Sequence, residues 1–402
     1  MKRENGQLTV VYSFPHKLGA GRICYTAWQQ VNGLAAAGAK VLVFPGVLSR
    51  SVPEGVRVYP TLAHGKLRIP YSLLGRRAYA VHDWIVARRL AELAGKVDII
   101  HTWPSSALRT IKMAARLGVP TVLERPNAHT RFAYDVVHKE CERLGVRLPS
   151  NHDHAYKGEV LRVEEEEFRQ ADYLLCPSDF VVKSFLDRGF PPKKLLRHQY
   201  GYDERVYFPA EPLESKRGLT ILFVGECAVR KGVHFALQAW LQSSACLDGT
   251  FMIAGEFLPA YAEKLAPMLL HPSVRVLGHR NDVPELMRES DVLVLPSIEE
   301  GSALASYEAR GCGCVLLVSD AAGAACHHME DALVHRAGDV DTLTRQITLL
   351  HEDRALLQRL RAESLRSAPE FTWTAAGRRL LDVYNSVLVE AGTASVWQRS
   401  AV

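Results

Sequence analysis

Residues 291–313, DVLVLPSIEEGSALASYEARGCG, decide how this chain is read. An apolar run over Asp291–Leu295 has the character of a buried strand, and Pro296-Ser297 breaks it. A loop closed by Glu300-Gly301 follows, and a helical run begins near Ser302 and ends at Gly311. Apolar strand, glycine-containing turn and helix, in that order, build the carboxyl edge of a parallel sheet, where ligands bind. The first amides of such a helix lack internal partners and its dipole is positive there, so a pyrophosphate is a natural guest. Glu308 follows Glu300 by eight helical steps, about 12 Å at most. The two carboxylates are therefore spaced to hold the two ends of one ligand.

The chain has 402 residues, enough for two domains with full cores. With 48% hydrophobic and 23% charged residues the composition is that of a soluble globular protein. No apolar run approaches the length of a membrane span. The opening, MKRENGQLTVVYSFPHKLGAG, is basic, but its apolar part is too short and too polar for a signal peptide, and it reads as a first strand. Eight cysteines without paired spacing point to a reducing, cytoplasmic compartment rather than a disulfide framework. Cys312-Gly313-Cys314 is the tightest cysteine pair and Cys326 adjoins His327 and His328; small-residue packing is the better reading than a metal site.

Charge is unevenly spread. Residues 1–205 carry 31 Lys/Arg against 20 Asp/Glu, and residues 206–402 carry 18 against 24. The basic half is consistent with an anionic acceptor or peripheral contact with an anionic membrane surface, and equally with plain solubility. No basic stripe carries interleaved aromatics, so no nucleic acid is expected as a partner. The run VEEEEF at 163–168 reads as the solvated face of a helix.

Both halves alternate apolar strands with helical patterns, as two doubly wound α/β domains would. First-half strands are expected at Leu8–Ser13, Lys40–Phe44, Val97–Thr102, Thr121–Glu124, Tyr173–Pro177 and Leu195–His198. Second-half strands are expected at Thr220–Val224, Thr250–Ala254, Val274–Leu277, Val292–Pro296 and Val315–Ser319. Cys24–Ala37 and Val233–Gln242 have helical periodicity. Pro209 and Pro212 mark the linker, which places the first domain at 1–208 and the second at 209–372.

The quoted stretch is similar to the signature of the retaining family-four glycosyltransferases, P-S-x-x-E-G, six variable residues, then E-A and small residues. Pro296, Ser297, Glu300, Gly301, Glu308, Ala309, Gly311, Cys312 and Gly313 fill it here. Gly201, Asp203, Phe208 and Pro209 match the family's hinge. The resemblance covers nearly the whole chain and implies the GT-B fold, two Rossmann-like domains facing each other across a cleft. The first would bind the acceptor and the second a nucleoside diphosphate sugar, with a last helix (about 373–402) packing back on the first. It implies sugar transfer with retention to a glycan or lipid-linked acceptor, in cell-surface polysaccharide synthesis. No cofactor or metal is needed, because basic side chains and helix amides take the metal's place. The location implied is cytoplasmic, peripheral at the inner membrane face.

On that resemblance Glu300 and the backbone of Gly301, Ser302, Ala303 and Leu304 position the sugar and diphosphate, and Glu308 takes the ribose diol. In ILFVGECAVRKGVHFALQAW (221–240) a strand ends at Gly225 and a helix starts near Lys231. Lys231 and Arg230 suit a diphosphate leaving group, because cations there offset the charge that grows as the sugar–oxygen bond breaks. The family's arginine after V-G is replaced by Glu226, with Arg230 standing just before the lysine. Arg280, after Gly278, falls in the family's base-binding loop. Gly19 and Gly21 lie in a loop where backbone amides can approach a phosphate or acceptor. Where the family has a histidine facing the sugar, this chain offers Arg125, Asn127 and His129, and either Arg125 or His129 takes that place. His101 and Trp103 end another strand on the acceptor side. Two other readings keep the fold: a nucleotide-sugar epimerase, and a non-catalytic nucleotide-sugar-binding subunit.

Overall fold

Two sheets, each with all neighbouring strands parallel, carry the chain in the computed structural model, which describes residues 7–64, 67–68, 75, 77–210 and 218–399. Pro212 of the expected linker, and residues 1–6 and 400–402, lie outside the described residues. The first sheet contains β1 (Thr9–Leu18), β2 (Lys40–Leu48) and β3 (Arg57–Val58), and a small antiparallel pair β4 (Ala63–His64) and β5 (Leu67–Arg68) stands apart from it. Four more strands complete it: β6 (Ile99–Thr102), β7 (Thr121–Glu124), β8 (Tyr173–Cys176) and β9 (Leu195–Arg197). Its order is β3-β2-β1-β6-β7-β8-β9, so the winding reverses between β1 and β6. The intervening helices are α1 (Ile23–Ala36), α2 (Arg77–Glu92), α3 (Leu108–Leu117), α4 (Thr130–Leu144), α5 (Gly158–Gln170) and α6 (Asp179–Leu186).

The second sheet has order β12-β11-β10-β13-β14-β15 and reverses between β10 (Thr220–Val224) and β13 (Val292–Leu295). Its other strands are β11 (Thr250–Ala254), β12 (Val274–Gly278), β14 (Val315–Ser319) and β15 (Ala332–His335). Helices α7 (Val233–Gln242), α8 (Pro259–Leu269), α9 (Val283–Arg288), α10 (Leu304–Cys312), α11 (Val340–Glu352) and α12 (Arg354–Ser367) cover it. Strands flanked by helices on both faces read as unbroken apolar runs. That is why β7, β10, β11 and β14 stand where the sequence placed them. β3 and β15 were not expected: both are edge strands, β3 of two residues and β15 of four within a polar stretch. β1 runs on beyond Ser13 to Leu18, and its pairing with β2 shifts register between Phe14 and Lys17, where Pro15 interrupts the ladder.

The last helix, α13 (Trp373–Arg399), returns to the first domain, where Gly377 meets Gly33 of α1. A Cβ on Gly33 would lie 2.8 Å from the Gly377 α-carbon, so only glycines allow this helix contact. The hinge is clamped to the same helix start, with Tyr202 N donating to Phe371 O (3.0 Å) and Trp373 N to Tyr202 O (3.1 Å). The domains also share a core: Val137, Cys141 and Leu144 of α4 pack into the second domain's cluster with Val233 and Leu237.

The glutamate run departs from expectation, because two of its four carboxylates face inward. Glu167 is fully buried and accepts from the amides of Ser105 (2.7 Å) and Ala107 (2.8 Å), serving the orphan donors ahead of α3. Glu164 accepts from Ser105 Oγ and Thr130 Oγ1. A count of charges cannot show which carboxylates of a helix have amides waiting for them across a domain.

Glu124, at the end of β7, is likewise fully buried, accepting from Gln30 Nε2 (3.0 Å) and Tyr200 OH (2.8 Å). Burial raises its pKa to about 7 despite these bonds. His101 Nε2, 3.5 Å away, has no hydrogen-bond partner and, as a neutral imidazole, can accept a hydrogen bond from the hydroxyl of a neutral Glu124. A folded pKa above the unfolded one favours folding fully below about pH 4.5, and the benefit is lost as pH rises through 7. Relative to Glu124→Gln, wild-type stability to urea should therefore fall by about 3 kcal/mol between pH 4.5 and about pH 8. Parallel pH profiles for the two proteins would contradict this.

Candidate active site

The second sheet reverses between β10 and β13, the switch point at whose carboxyl ends a doubly wound sheet forms its ligand crevice. The loop after β10 turns at Gly225 (φ 141°) and at Gly232 (φ 69°), both in backbone regions that favour glycine. A Cβ on Gly232 would lie 2.0 Å from the Pro296 carbonyl oxygen, so this glycine permits the two loops to touch. Ile298 N donates to Arg230 O (2.9 Å), and Arg230 Nη1 donates to Glu299 O (2.8 Å). Lys231 Nζ then lands on Glu300 Oε1 as an ion pair, while Glu300 Oε2 accepts from Ser297 Oγ (3.1 Å). Arg230 Nη1 lies 3.9 Å from the same Glu300 oxygen. Lys231, Arg230, Glu300 and Gly225 are thus brought together, whereas Glu226 is exposed beside them.

Burial opposes ionisation of Glu300, but Lys231 and then Arg230 outweigh it and hold its carboxyl below the usual range. Burial, offset in part by Glu300, lowers the Lys231 ammonium. The pair is charged and nearly dry. Helix α10 begins beside it with no side chain capping its amino end at Ala303. Leu304 opens the helix, and Ser302 Oγ is tied to Tyr307 OH (2.8 Å). Four residues into α10, Glu308 accepts a hydrogen bond from Tyr207 of the hinge, and burial raises its carboxyl to about 7. Arg280 stands exposed and paired with Asp282 in the loop after β12, two strands from β10 in the sheet.

The signature loop also touches the first domain. A Cβ on Gly301 would lie 1.6 Å from Pro126 O and 2.9 Å from the Asn127 α-carbon, and Ser178 Oγ donates to Gly301 O (2.5 Å). Glu299 is fully buried and accepts from Ala128 N (3.0 Å) and His154 Nε2 (3.1 Å), both from the first domain. Burial resists its ionisation, but His154, Arg230 and the Ala128 amide bring it down to about 2. Neither Glu299 nor His154 was singled out in the sequence. Glu299 lies inside the quoted stretch, but its partners Ala128 and His154 stand 171 and 145 residues earlier in the chain. Next to them a cavity of about 970 Å³ opens on the first domain's side, lined by His16, Asn127, Asp153, His154 and Lys157 among others.

Several first-domain expectations are corrected. His129 caps α4, and its ring packs on Phe168, Phe185 and Phe190, away from Glu300; burial and nearby guanidiniums lower it to about 3. Arg125 lines the cavity but is spent on Ala128 O (3.3 Å) and on the Phe168 ring, 4.2 Å from its centre. Of the three residues offered there, Asn127 is the exposed one, facing the cavity against Gly301. His101 is fully buried, stacked on Tyr12 and bonded to Tyr384 OH (2.6 Å), and Trp103 donates to Tyr12 OH (2.9 Å). Gly19 (φ 86°) is required by packing, since a Cβ there would meet Arg50 Cβ at 2.4 Å. Gly21 is exposed with open space around it.

The sequence and the architecture have counterparts. Residues 218–353 match the model of the glycosyl transferases group 1, and residues 25–204 that of glycosyltransferase family 4. The chain belongs to the group-1, family-four glycosyltransferases. It is 32% identical over 118 residues to an N,N'-diacetylbacillosaminyl-diphospho-undecaprenol alpha-1,3-N-acetylgalactosaminyltransferase of Campylobacter jejuni, spanning 29% of this chain and 31% of that protein. It is 26% identical over 279 residues to a UDP-Gal:alpha-D-GlcNAc-diphosphoundecaprenol alpha-1,3-galactosyltransferase of Escherichia coli, spanning 65% and 68% of the two. The sucrose-phosphate synthase of Thermosynechococcus elongatus superposes with a TM-score of 0.68 at 19% identity, over 96% of this chain and all of that one, and shows the shared GT-B fold.

In this glycosyltransferase the crossing at Gly301 should tolerate no side chain. Gly301→Ala should destabilise the protein by about 1–3 kcal/mol through overpacking against Pro126. Urea unfolding measures it, and an unchanged midpoint would contradict the domain contact.

Proposed function

We propose that the chain transfers a sugar from a nucleoside diphosphate sugar to a glycan or lipid-linked acceptor with retention of anomeric configuration. The carrying observation is the buried Lys231–Glu300 pair beside the uncapped start of α10. On donor binding the Lys231 ammonium moves from Glu300 to the diphosphate, assisted by Arg230 and the amides of Gly301, Ser302 and Leu304, the Ala303 amide being taken by Ala322 O (3.3 Å). Glu300, so released, accepts from sugar hydroxyls, and Glu308 accepts from the ribose diol. The anomeric carbon–oxygen bond to phosphate breaks as the acceptor oxygen bonds on the same face, and the acceptor proton passes to the departing phosphate oxygen. Basic side chains and helix amides carry the leaving charge, so neither metal nor cofactor has a role in this account.

The cavity around Asn127 and His154 is the acceptor side, with the first domain supplying acceptor contacts and the second the donor site. Two relatives are named for diphospho-undecaprenol-linked acceptors, one of them with UDP-Gal, which favours UDP and a lipid-linked glycan here as well. Cell-surface polysaccharide synthesis at the cytoplasmic face of a membrane follows from such an acceptor. Contact with that membrane is taken as peripheral in this reading; no helix among the described residues is long and apolar enough to cross one.

Calorimetric titration with UDP, GDP and ADP tests the donor site. One diphosphate should bind selectively, and Lys231→Ala and Glu308→Ala should each weaken it at least about tenfold, the worth of one strong charge-assisted contact. Because Glu308 accepts from the diol as a carboxylate, affinity should rise about tenfold from pH 6 to pH 8 as its raised pKa of about 7 is crossed. Glu308→Gln should abolish that increment, leaving only the ligand's own titration. Failure of all three diphosphates to bind would overturn the reading.

A further inference from the structure

A second cavity, of about 570 Å³, opens on the first domain and shares no lining residue with the cavity beside Asn127 and His154. Its volume lies within the usual range for small-molecule pockets. Phe190, Pro191 and the ring of His129 give it apolar wall, and Arg131, Arg169, Arg188 and Lys194 give it charge. Glu165 is the acid among its lining residues, and it is already held by Arg131 at 2.9 Å. Arg169 is likewise matched by Glu166. Arg188 and Lys194 differ: neither forms an ion pair among the described residues. Arg188 Nη1 donates to Ser184 O (3.2 Å) with its guanidinium 5.4 Å from the Phe132 ring centre, and Lys194 Nζ donates to Arg169 O (2.9 Å).

Both side chains are partly buried, and burial lowers the Lys194 pKa. Asp172 acts on Lys194 without pairing to it, and two partly buried cations with donors to spare and no ion pair among the described residues are a natural seat for an anion. The field is felt next door, where Arg125, Arg188 and Arg131 add to burial in keeping His129 neutral.

We propose that this cavity is a binding site for a phosphate-type anion, gripped by Arg188 and Lys194, with the Phe190–Pro191 wall seating an apolar carrier. The anion's source is either a free phosphorylated solute or the headgroup of a lipid; the recognition chemistry is the same. The site is independent of the donor reading, since none of its residues belongs to the Lys231–Glu300 crevice.

The test is calorimetry on the full chain with two probes, inorganic pyrophosphate and monomeric dihexanoyl phosphatidic acid. UDP binding and the thermal midpoint are followed alongside. At least one probe should bind saturably, and Arg188→Gln and Lys194→Gln should each weaken it at least about tenfold without moving UDP binding. Pyrophosphate binding lost in the variants identifies a solute site, and phosphatidate binding alone lost in them identifies a lipid-borne phosphate. Should Arg188→Gln fail to fold, Lys194→Gln carries the test. Absence of binding by both probes, or binding that neither substitution weakens, would overturn the proposal and leave the donor site untouched.

Discussion

The chemistry of this chain depends on one close approach, the backbone of Gly232 lying against the carbonyl of Pro296. Each loop leaves the carboxyl end of its own strand at the point where the sheet reverses, and topology alone would leave them on opposite lips of a crevice. A glycine in the left-handed region removes the side chain that would hold them apart. Contact then fixes Arg230 through Glu299 and places the Lys231 ammonium on Glu300. Removing either member of so dry a pair leaves an uncompensated charge, whereas offering Lys231 a phosphate only exchanges its anion.

A second glycine crossing does for the domains what Gly232 does for the loops. Gly301 rests on Pro126, and its carbonyl is held by Ser178. Glu299 is ionised in the interface because His154 and the Ala128 amide serve it there. The 299–301 loop is therefore held by the first domain on one side and by Arg230 and Lys231 on the other. Burial of Val137 and Leu144 from α4 in the second domain's core makes this more than a polar contact.

What the sequence made legible follows from what is local. Strand, turn and helix around Glu300 and around Lys231 are contiguous, so periodicity and glycine position placed these loops, and the structure brings them together. The two Glu residues of the run at 163–168 that turn inward, the core roles of His101 and His129, and the bond from His154 to Glu299 all depend on partners tens of residues away. His129 illustrates the difference. Its place after a strand end suits a sugar-facing residue, yet three phenylalanines from α5, α6 and the loop after it claim its ring. Asn127, two residues earlier, takes the exposed position because the crossing at Gly301 holds the backbone there.

The central claim is that the crevice between β10 and β13 receives a nucleoside diphosphate on Lys231, Arg230 and the start of α10. A crystal structure of the chain with UDP, or with whichever diphosphate binds, tests it most directly. The account predicts diphosphate oxygens within hydrogen-bond reach of Lys231 Nζ and the amides of Ser302 and Leu304, a ribose diol on Glu308, and the Lys231–Glu300 pair opened. Diphosphate bound elsewhere with that pair intact would contradict it.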